Sequence, residues 1–245
     1  MRSTFRTSPS LTICREPLRG RGGEPIAFER TVLSHGCAQL APARLDRNPL
    51  VYRRRFRTVK ATVEVSMRAE DGFLIASCEE PVDARSRARI ATAIGRMFRL
   101  DDDLSPFYAS IAERDPLRWA VQGAGRMLAS PTVFEDVVKT ICTTNCTWSA
   151  TQRMTAALAE RGDGAFPDAE RLAATPDSWY RDVARMGYRG PHVRAVAGDV
   201  AAGNLDLESL LPGRGRNDDE VREALLALPG IGPYAAAHVM QLLGR

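Results

Sequence analysis

The stretch Leu228-Pro229-Gly230-Ile231-Gly232-Pro233-Tyr234-Ala235-Ala236-Ala237-His238-Val239-Met240-Gln241-Leu242-Leu243-Gly244-Arg245 decides the reading of the C-terminal half of this chain. It spells a tight turn between two helices. Just upstream, Asn217-Asp218-Asp219-Glu220 is a helix start: an Asn at the N-cap with an acid three residues on, the pattern of a capping box. Val221, Leu225 and Leu228 then recur at helical spacing. Pro229-Gly230 is expected to end that helix, because glycine tolerates the left-handed conformation found there. Gly232 is expected to let the backbone turn again, through positive φ or a close approach. Pro233 suits the first position of a second helix, where its missing N–H is not needed, and Ile231 can bury between the two. Such a turn presents backbone N–H groups beside a helix N-terminus, which is a natural anion site. Contacts of that kind read phosphate and not base sequence. The same spacing also fits a plain helix–helix turn.

Composition narrows the class. A chain of 245 residues allows one large or two modest domains, and 44% hydrophobic residues can bury a core. No run approaches the roughly 18 apolar residues of a membrane span, so no membrane partner is expected. A net charge of +4 and a pI of about 9.0 suit a polyanion partner. Cysteines 14, 37, 78, 142 and 146 form no C-x-x-C pair, which points to free thiols in a reducing compartment. Cys142 and Cys146 are expected on one helix face, with no further metal ligand near in sequence.

Residues 1–23 carry Arg2, Arg6, Arg15, Arg19 and Arg21 among Pro, Ser and Gly, without the apolar centre of a secretory signal. They read as a disordered basic tail or the product of a start codon placed too early, with an organelle transit peptide as the alternative. Residues 24–82 read as an antiparallel sheet domain. Val59 to Met67 alternates apolar and polar, Glu70-Asp71-Gly72 is a hairpin signal, and Phe73 to Cys78 is the partner strand. Leu50 to Thr58 and Phe28 to Leu33 add strands, giving a sheet of about four to six. The run Tyr52-Arg53-Arg54-Arg55-Phe56-Arg57 reads as the solvated side of a strand rather than a nucleic-acid patch. Residues 83–245 read as helical: Asp83 caps a helix holding Ile90, Ile94 and Met97, and Leu104, Phe107, Tyr108 and Ile111 mark another. Thr132-Val133-Phe134-Glu135 is a capping-box sequence opening a helix whose stripe is Phe134, Val138, Ile141, Asn145 and Trp148. Asn145 is thus a polar residue at the end of an apolar face, where it can cap or end the helix. The fold class is α+β, a sheet domain followed by helices.

Three segments, in order, resemble the helix-hairpin-helix DNA glycosylase superfamily, in its 3-methyladenine and 8-oxoguanine branches. Leu228 to Ala236 looks like its hairpin, residues 217–245 forming the whole motif. Pro131 to Asn145 is similar to the helix that opens its helical domain, and Met186-Gly187-Tyr188-Arg189-Gly190-Pro191-His192-Val193 to its Gly-Tyr-Arg turn. The resemblance implies base-excision repair: hydrolysis of the N-glycosidic bond of alkylated or oxidised bases after their extrusion from the duplex. It implies a monomer that binds double-stranded DNA at damaged or abasic sites. Gly230, Gly232, Pro233 and Tyr234 would hold the backbone. Asn145 would fill the space of the extruded base, Tyr188 would wedge beside it, and Arg189 would read the opposite base. No cofactor is required, but main-chain carbonyls of Leu226, Leu228 and Ile231 match those that hold a monovalent cation. The location implied is cytoplasmic and nucleoid-associated in a bacterium, nuclear or organellar in a eukaryote.

Two departures accompany the likeness. Tyr234 stands where bifunctional members carry the Schiff-base Lys, so a monofunctional enzyme is implied. The family's catalytic Asp follows the hairpin in a later loop and would fall beyond Arg245, as would closing helices and the iron–sulfur ligands of the endonuclease III branch. Asp218 and Asp219 precede the hairpin and read as first-turn acids. The chain is therefore expected to be a truncated or decayed glycosylase, inactive as it stands, or a non-catalytic DNA-binding remnant of one.

Overall fold

The computed structural model describes residues 10–245. An antiparallel sheet comes first, with strands β1 (Leu11–Pro17), β2 (Ala43–Arg47), β3 (Leu50–Arg57), β4 (Thr62–Glu70) and β5 (Phe73–Cys78) in the order β1-β5-β4-β3-β2. Alternation makes β4 a half-buried strand: Val63, Val65 and Met67 point inward and their neighbours outward. Asp71 and Gly72, at φ 51° and 78°, form the two-residue turn from β4 to β5. α1 (Phe28–Val32) and α2 (Ala84–Phe98) cover the inner face, where Phe28, Val32, Ile90, Ile94, Met97 and Phe98 meet Tyr52, Phe56, Val65, Met67 and Leu74. Asp83 caps α2 by accepting from the Ser86 N–H at 2.9 Å. After α3 (Ser105–Ser110), a second core forms around α4 (Val133–Thr143), α5 (Trp148–Arg161), α6 (Ala169–Ala173), α7 (Arg189–Ala201), α8 (Asp218–Leu226) and α9 (Pro233–Leu243).

Several expectations need correction. Of the expected tail 1–23, residues 1–9 lie outside the described residues, but Leu11–Pro17 is an edge strand whose Ile13 and Cys14 are buried. The basic, Pro- and Ser-containing stretch around it hid the strand, and pairing with β5 holds it, with the Arg15 guanidinium over the Phe73 ring at 3.1 Å. Phe28 to Leu33 is helical, not extended. The strand expected from Val59 begins at Thr62, and Val59 is exposed. The sheet half does not end at residue 82. The amphipathic face of α2 needs an apolar surface and finds it on the sheet, so the two cores part between Leu128 and Val133.

Arg54 also departs from its reading. Period-two geometry puts it on the inward face with Tyr52 and Phe56, and it is only 3% exposed. Its Nη2 pairs with Glu135 Oε2 at 2.5 Å, and Lys139 Nζ lies 2.7 Å from Glu135 Oε1. Glu135 therefore does not close a capping box on α4. Thr132 does its half, accepting from the Glu135 N–H at 3.2 Å. Next to Glu135, Asp136 pairs with Arg96 of α2 at 2.8 Å. Both acids sit in the first turn of α4, where the helix dipole favours negative charge. Arg54 holds Glu135 well below the usual carboxylate range against the opposing effect of burial.

Candidate nucleic-acid interface

The turn between α8 and α9 is built as its glycines and prolines dictate, with two differences. The full capping box at Asn217 and Glu220 is present, at 2.9 and 2.8 Å. α8 ends at Leu226, short of Pro229. Gly230 carries the left-handed conformation, φ 83°, and a Cβ there would lie 3.1 Å from Cβ and Cγ of His192 in α7. Gly232 does not: its φ is −95° and ψ −178°, ordinary extended backbone, and a Cβ there would meet no protein atom within 4 Å. The expectation that the turn itself requires glycine at 232 is overturned. What remains at Gly232 is open space beside a helix N-terminus. Pro233 is the first residue of α9 and Ile231 is buried beneath the turn.

The helix ends differ in how they are satisfied. Side chains cap α2, α4, α5, α6 and α8, but no side chain caps α7 or α9. The turn runs close to the first turn of α7, where a Cβ on Gly230 would lie 3.1 Å from His192; the Arg189 and Gly190 N–H groups there already donate to the Met186 and Gly187 carbonyls, so the open N-terminus is that of α9. Around it stand Tyr234, 84% exposed, and Tyr188, 53% exposed, whose ring packs edge-on to His192 at 6.0 Å. Orphan N–H groups and exposed aromatic rings are thus gathered on one surface.

The segment after α4 supplies Asn145. The apolar stripe expected to run through it to Trp148 is broken: Thr144 leaves helical geometry, and Asn145 takes a left-handed conformation at φ 46°. Cys146 lies beyond the helix as well. Asn145 ends the helix and remains exposed. Its Nδ2 faces the Tyr188 hydroxyl at 3.4 Å.

Arg189 is not where the family likeness would put a base-reading residue. Its side chain is only 7% exposed. Nε donates to the Thr144 carbonyl at 2.9 Å and Nη2 to the same oxygen and to the Asn145 carbonyl at 3.1 Å, while Nη1 faces the Met186 carbonyl at 3.4 Å. The guanidinium donors are turned into the protein.

Three residues escaped the sequence reading. His238 is one turn along α9 from Tyr234, on the same face. It meets His35 edge-on at 5.8 Å, joining the hairpin to the segment after α1. His35 Nδ1 accepts from the Cys37 N–H at 3.3 Å and Nε2 lies 2.7 Å from the Leu128 carbonyl, which sets a neutral tautomer with the proton on Nε2. Burial lowers the pKa of both imidazoles. At Gly36 a Cβ would lie 2.6 Å from the Trp148 ring, so only glycine seats that tryptophan. The signal available was the spacing Tyr234–His238; nothing local links residue 35 to residue 238.

Acids near this surface are committed elsewhere. Asp218 pairs with Arg245 at 2.7 Å and Asp219 with Arg222 at 3.1 Å. No Asp or Glu follows Gly232 in the sequence. Glu208, whose carboxyl pKa burial raises, accepts from the Val133 N–H at 2.7 Å. It lines a separate groove of 1440 Å³ with Arg96, Phe134, Phe166 and Leu243, and neither the hairpin turn nor Asn145 and Tyr188 border it. Among the described residues no cluster of three His, Cys, Asp or Glu could hold a metal. At the hairpin, the Leu228 carbonyl already accepts from the Ile231 N–H at 3.2 Å.

Comparison with known proteins agrees with this architecture. No protein-family model matches the chain. Over 197 residues it is 25% identical to the DNA-3-methyladenine glycosylase of Bacillus subtilis (strain 168), covering 74% of this chain and 64% of that protein. The chain thus spans less than two thirds of that relative's length. The solved structure of 3-methyladenine DNA-glycosylase from Archaeoglobus fulgidus matches 95% of this chain and 80% of its own, with a TM-score of 0.70 at 19% identity. In fold the chain is similar to the Archaeoglobus fulgidus glycosylase, and in sequence to the Bacillus subtilis one.

Proposed function

We propose that the chain binds duplex DNA at damaged or abasic sites as the scaffold of a monofunctional base-excision glycosylase, one that hydrolyses the N-glycosidic bond of alkylated or oxidised bases. The observation that carries this reading is the uncapped N-terminus of α9 with open space at Gly232, beside the exposed side chains of Tyr234, Tyr188 and Asn145. The helix-hairpin-helix at residues 217–245 grips phosphates, with a monovalent cation on carbonyls of Leu226, Leu228 and Ile231. Asn145 and Tyr188 enter the duplex where a base has left.

A second reading has its own support. Asp218 and Asp219, at the start of α8, are held in ion pairs with Arg245 and Arg222. Stabilising a developing cation on the sugar is a large catalytic term, and it needs a carboxylate. In this reading the chain binds DNA without cleaving it, as a non-catalytic DNA-binding remnant of such an enzyme.

The test is binding by fluorescence anisotropy, with duplexes that carry or lack a stable abasic analogue, combined with a base-release assay on alkylated and oxidised DNA. The expected result is salt-sensitive binding, log K falling by about 0.9 per phosphate contact per decade of salt. The abasic duplex is preferred and no base is released. Salt-independent binding refutes the phosphate grip. Base release by the purified 245 residues refutes the assignment of the acids.

A further inference from the structure

We propose that Arg189 is a positioning residue that fixes Asn145 and Tyr188 as one rigid pair, and that it does not touch DNA itself. The role of that pair rests on the reading just given; the placement of Arg189 does not.

The carboxyl end of α4 leaves carbonyls without helical partners, at the negative end of the helix dipole. Arg189 reaches that end from the start of α7, across 45 residues of sequence, and donates to the Thr144 carbonyl through two nitrogens. The same guanidinium takes the Asn145 carbonyl at 3.1 Å and faces the Met186 carbonyl, in the turn before Tyr188, at 3.4 Å. Its carbon lies 4.5 Å from the centre of the Tyr188 ring. One buried cation thus holds the loop that carries Asn145 and the turn that carries Tyr188. Asn145 stands at φ 46°, a left-handed conformation that Asn tolerates and that turns the chain out of α4. A flat fork with several fixed donors can hold loop and turn together, and the single ammonium of lysine cannot. Four of the five guanidinium N–H donors are so engaged, which leaves no pair of donors free to read a base edge.

The experiment uses the full chain and three variants, Arg189→Lys, Asn145→Gly and the double, each first checked for cooperative melting. Arg189→Gln replaces the lysine variant if that one does not fold. Preference for an abasic-analogue duplex over intact duplex is measured by anisotropy. Asn145→Gly is expected to lower the preference about tenfold, the worth of one good hydrogen bond in a water-poor site. Arg189→Lys is expected to lose most of that factor, and the double variant no more than Asn145→Gly alone. Affinity for intact duplex and its salt slope should stay at the starting values. Losses that multiply, or a salt slope reduced by about one phosphate, would show Arg189 contacting DNA and overturn the proposal. In the DNA-free protein, the Asn145 side-chain amide resonance should move toward that of a free Asn in Arg189→Lys. An unmoved resonance overturns the positioning role even if binding is unaltered. Absence of abasic preference in the unsubstituted chain counts against the proposed function and leaves the resonance test standing.

Discussion

Gly230 and Gly232 sit two residues apart, and the structure assigns them opposite behaviour on substitution by alanine. Gly230 is left-handed, at φ 83°, and a Cβ would stand 3.1 Å from Cβ and Cγ of His192. The conformation costs an L-residue about 1–2 kcal/mol, and the crowding adds to it. Restricting the unfolded chain returns about 0.4–1 kcal/mol. The net is a loss of about 1 kcal/mol or more, or about 2–4 °C of Tm per kcal/mol in a chain of this size. Gly232, at φ −95° with open space around it, incurs no such cost. Gly232→Ala should gain about 0.4–1 kcal/mol through the unfolded state alone. Its methyl would nevertheless stand where a phosphate must approach the first-turn N–H groups of α9. Losing one or two charged hydrogen bonds, about 1.5–3 kcal/mol each, weakens DNA binding tenfold or more. Gly232→Ala is thus expected to melt higher and bind worse, and Gly230→Ala to melt lower. Calorimetry and anisotropy on the two proteins decide it. Undiminished binding by Gly232→Ala removes the phosphate from that turn, and a Gly230→Ala protein that melts no lower than Gly232→Ala refutes the turn geometry.

Other outcomes follow from the same structure. Asn145→Gly keeps the left-handed residue that ends α4 and deletes only the side chain, so its Tm should stay within about 2 °C while abasic preference falls; a large drop in Tm would make Asn145 structural. Burial holds His35 and His238 below their ordinary value of 6.5, so the unfolded chain takes up protons first as the pH falls. Stability should be full above that value and decline from pH 7.5 toward pH 5.5, less steeply in His238→Asn, and urea midpoints independent of pH in this window would contradict the assignment. Glu135→Gln leaves Arg54 and Lys139 facing each other in the core without a counter-charge and should cost about 3–5 kcal/mol, read as a lower urea midpoint; a loss under 1 kcal/mol would mean that water reaches the pair.

What could be read from the sequence was whatever a few neighbouring residues decide among themselves. The Asn217 capping box, the Asp71-Gly72 turn, Pro233 at the start of α9 and the burial of Ile231 all follow from local rules, and the structure has them. Arg54 and Arg189 were misread for a common reason. Each finds its partners far along the chain, at Glu135 and at Thr144, and no spacing rule announces an arginine that will be buried by a distant element. The strand Leu11–Pro17 is invisible for a similar reason, since only the presence of β5 makes extended pairing worthwhile for so polar a segment. His35 and His238 meet only after the sheet half and the helical half have come together. The candidate interface was therefore legible as a hairpin and a few aromatic and polar side chains, but not as a surface.

The neighbouring acids of α4 have a mechanical consequence. Glu135 is tied to a strand and Asp136 to a helix of the sheet half, both within the first turn of the helix on which the other core is built. Any hinge at residues 129–131 would pull both ion pairs apart in the same movement and strand buried charges on either side. The two halves are in this sense bolted rather than hinged. A duplex laid against such a body cannot be enclosed by it. The DNA would have to bend to meet the protein, and a site already weakened by a damaged pair bends at the least cost.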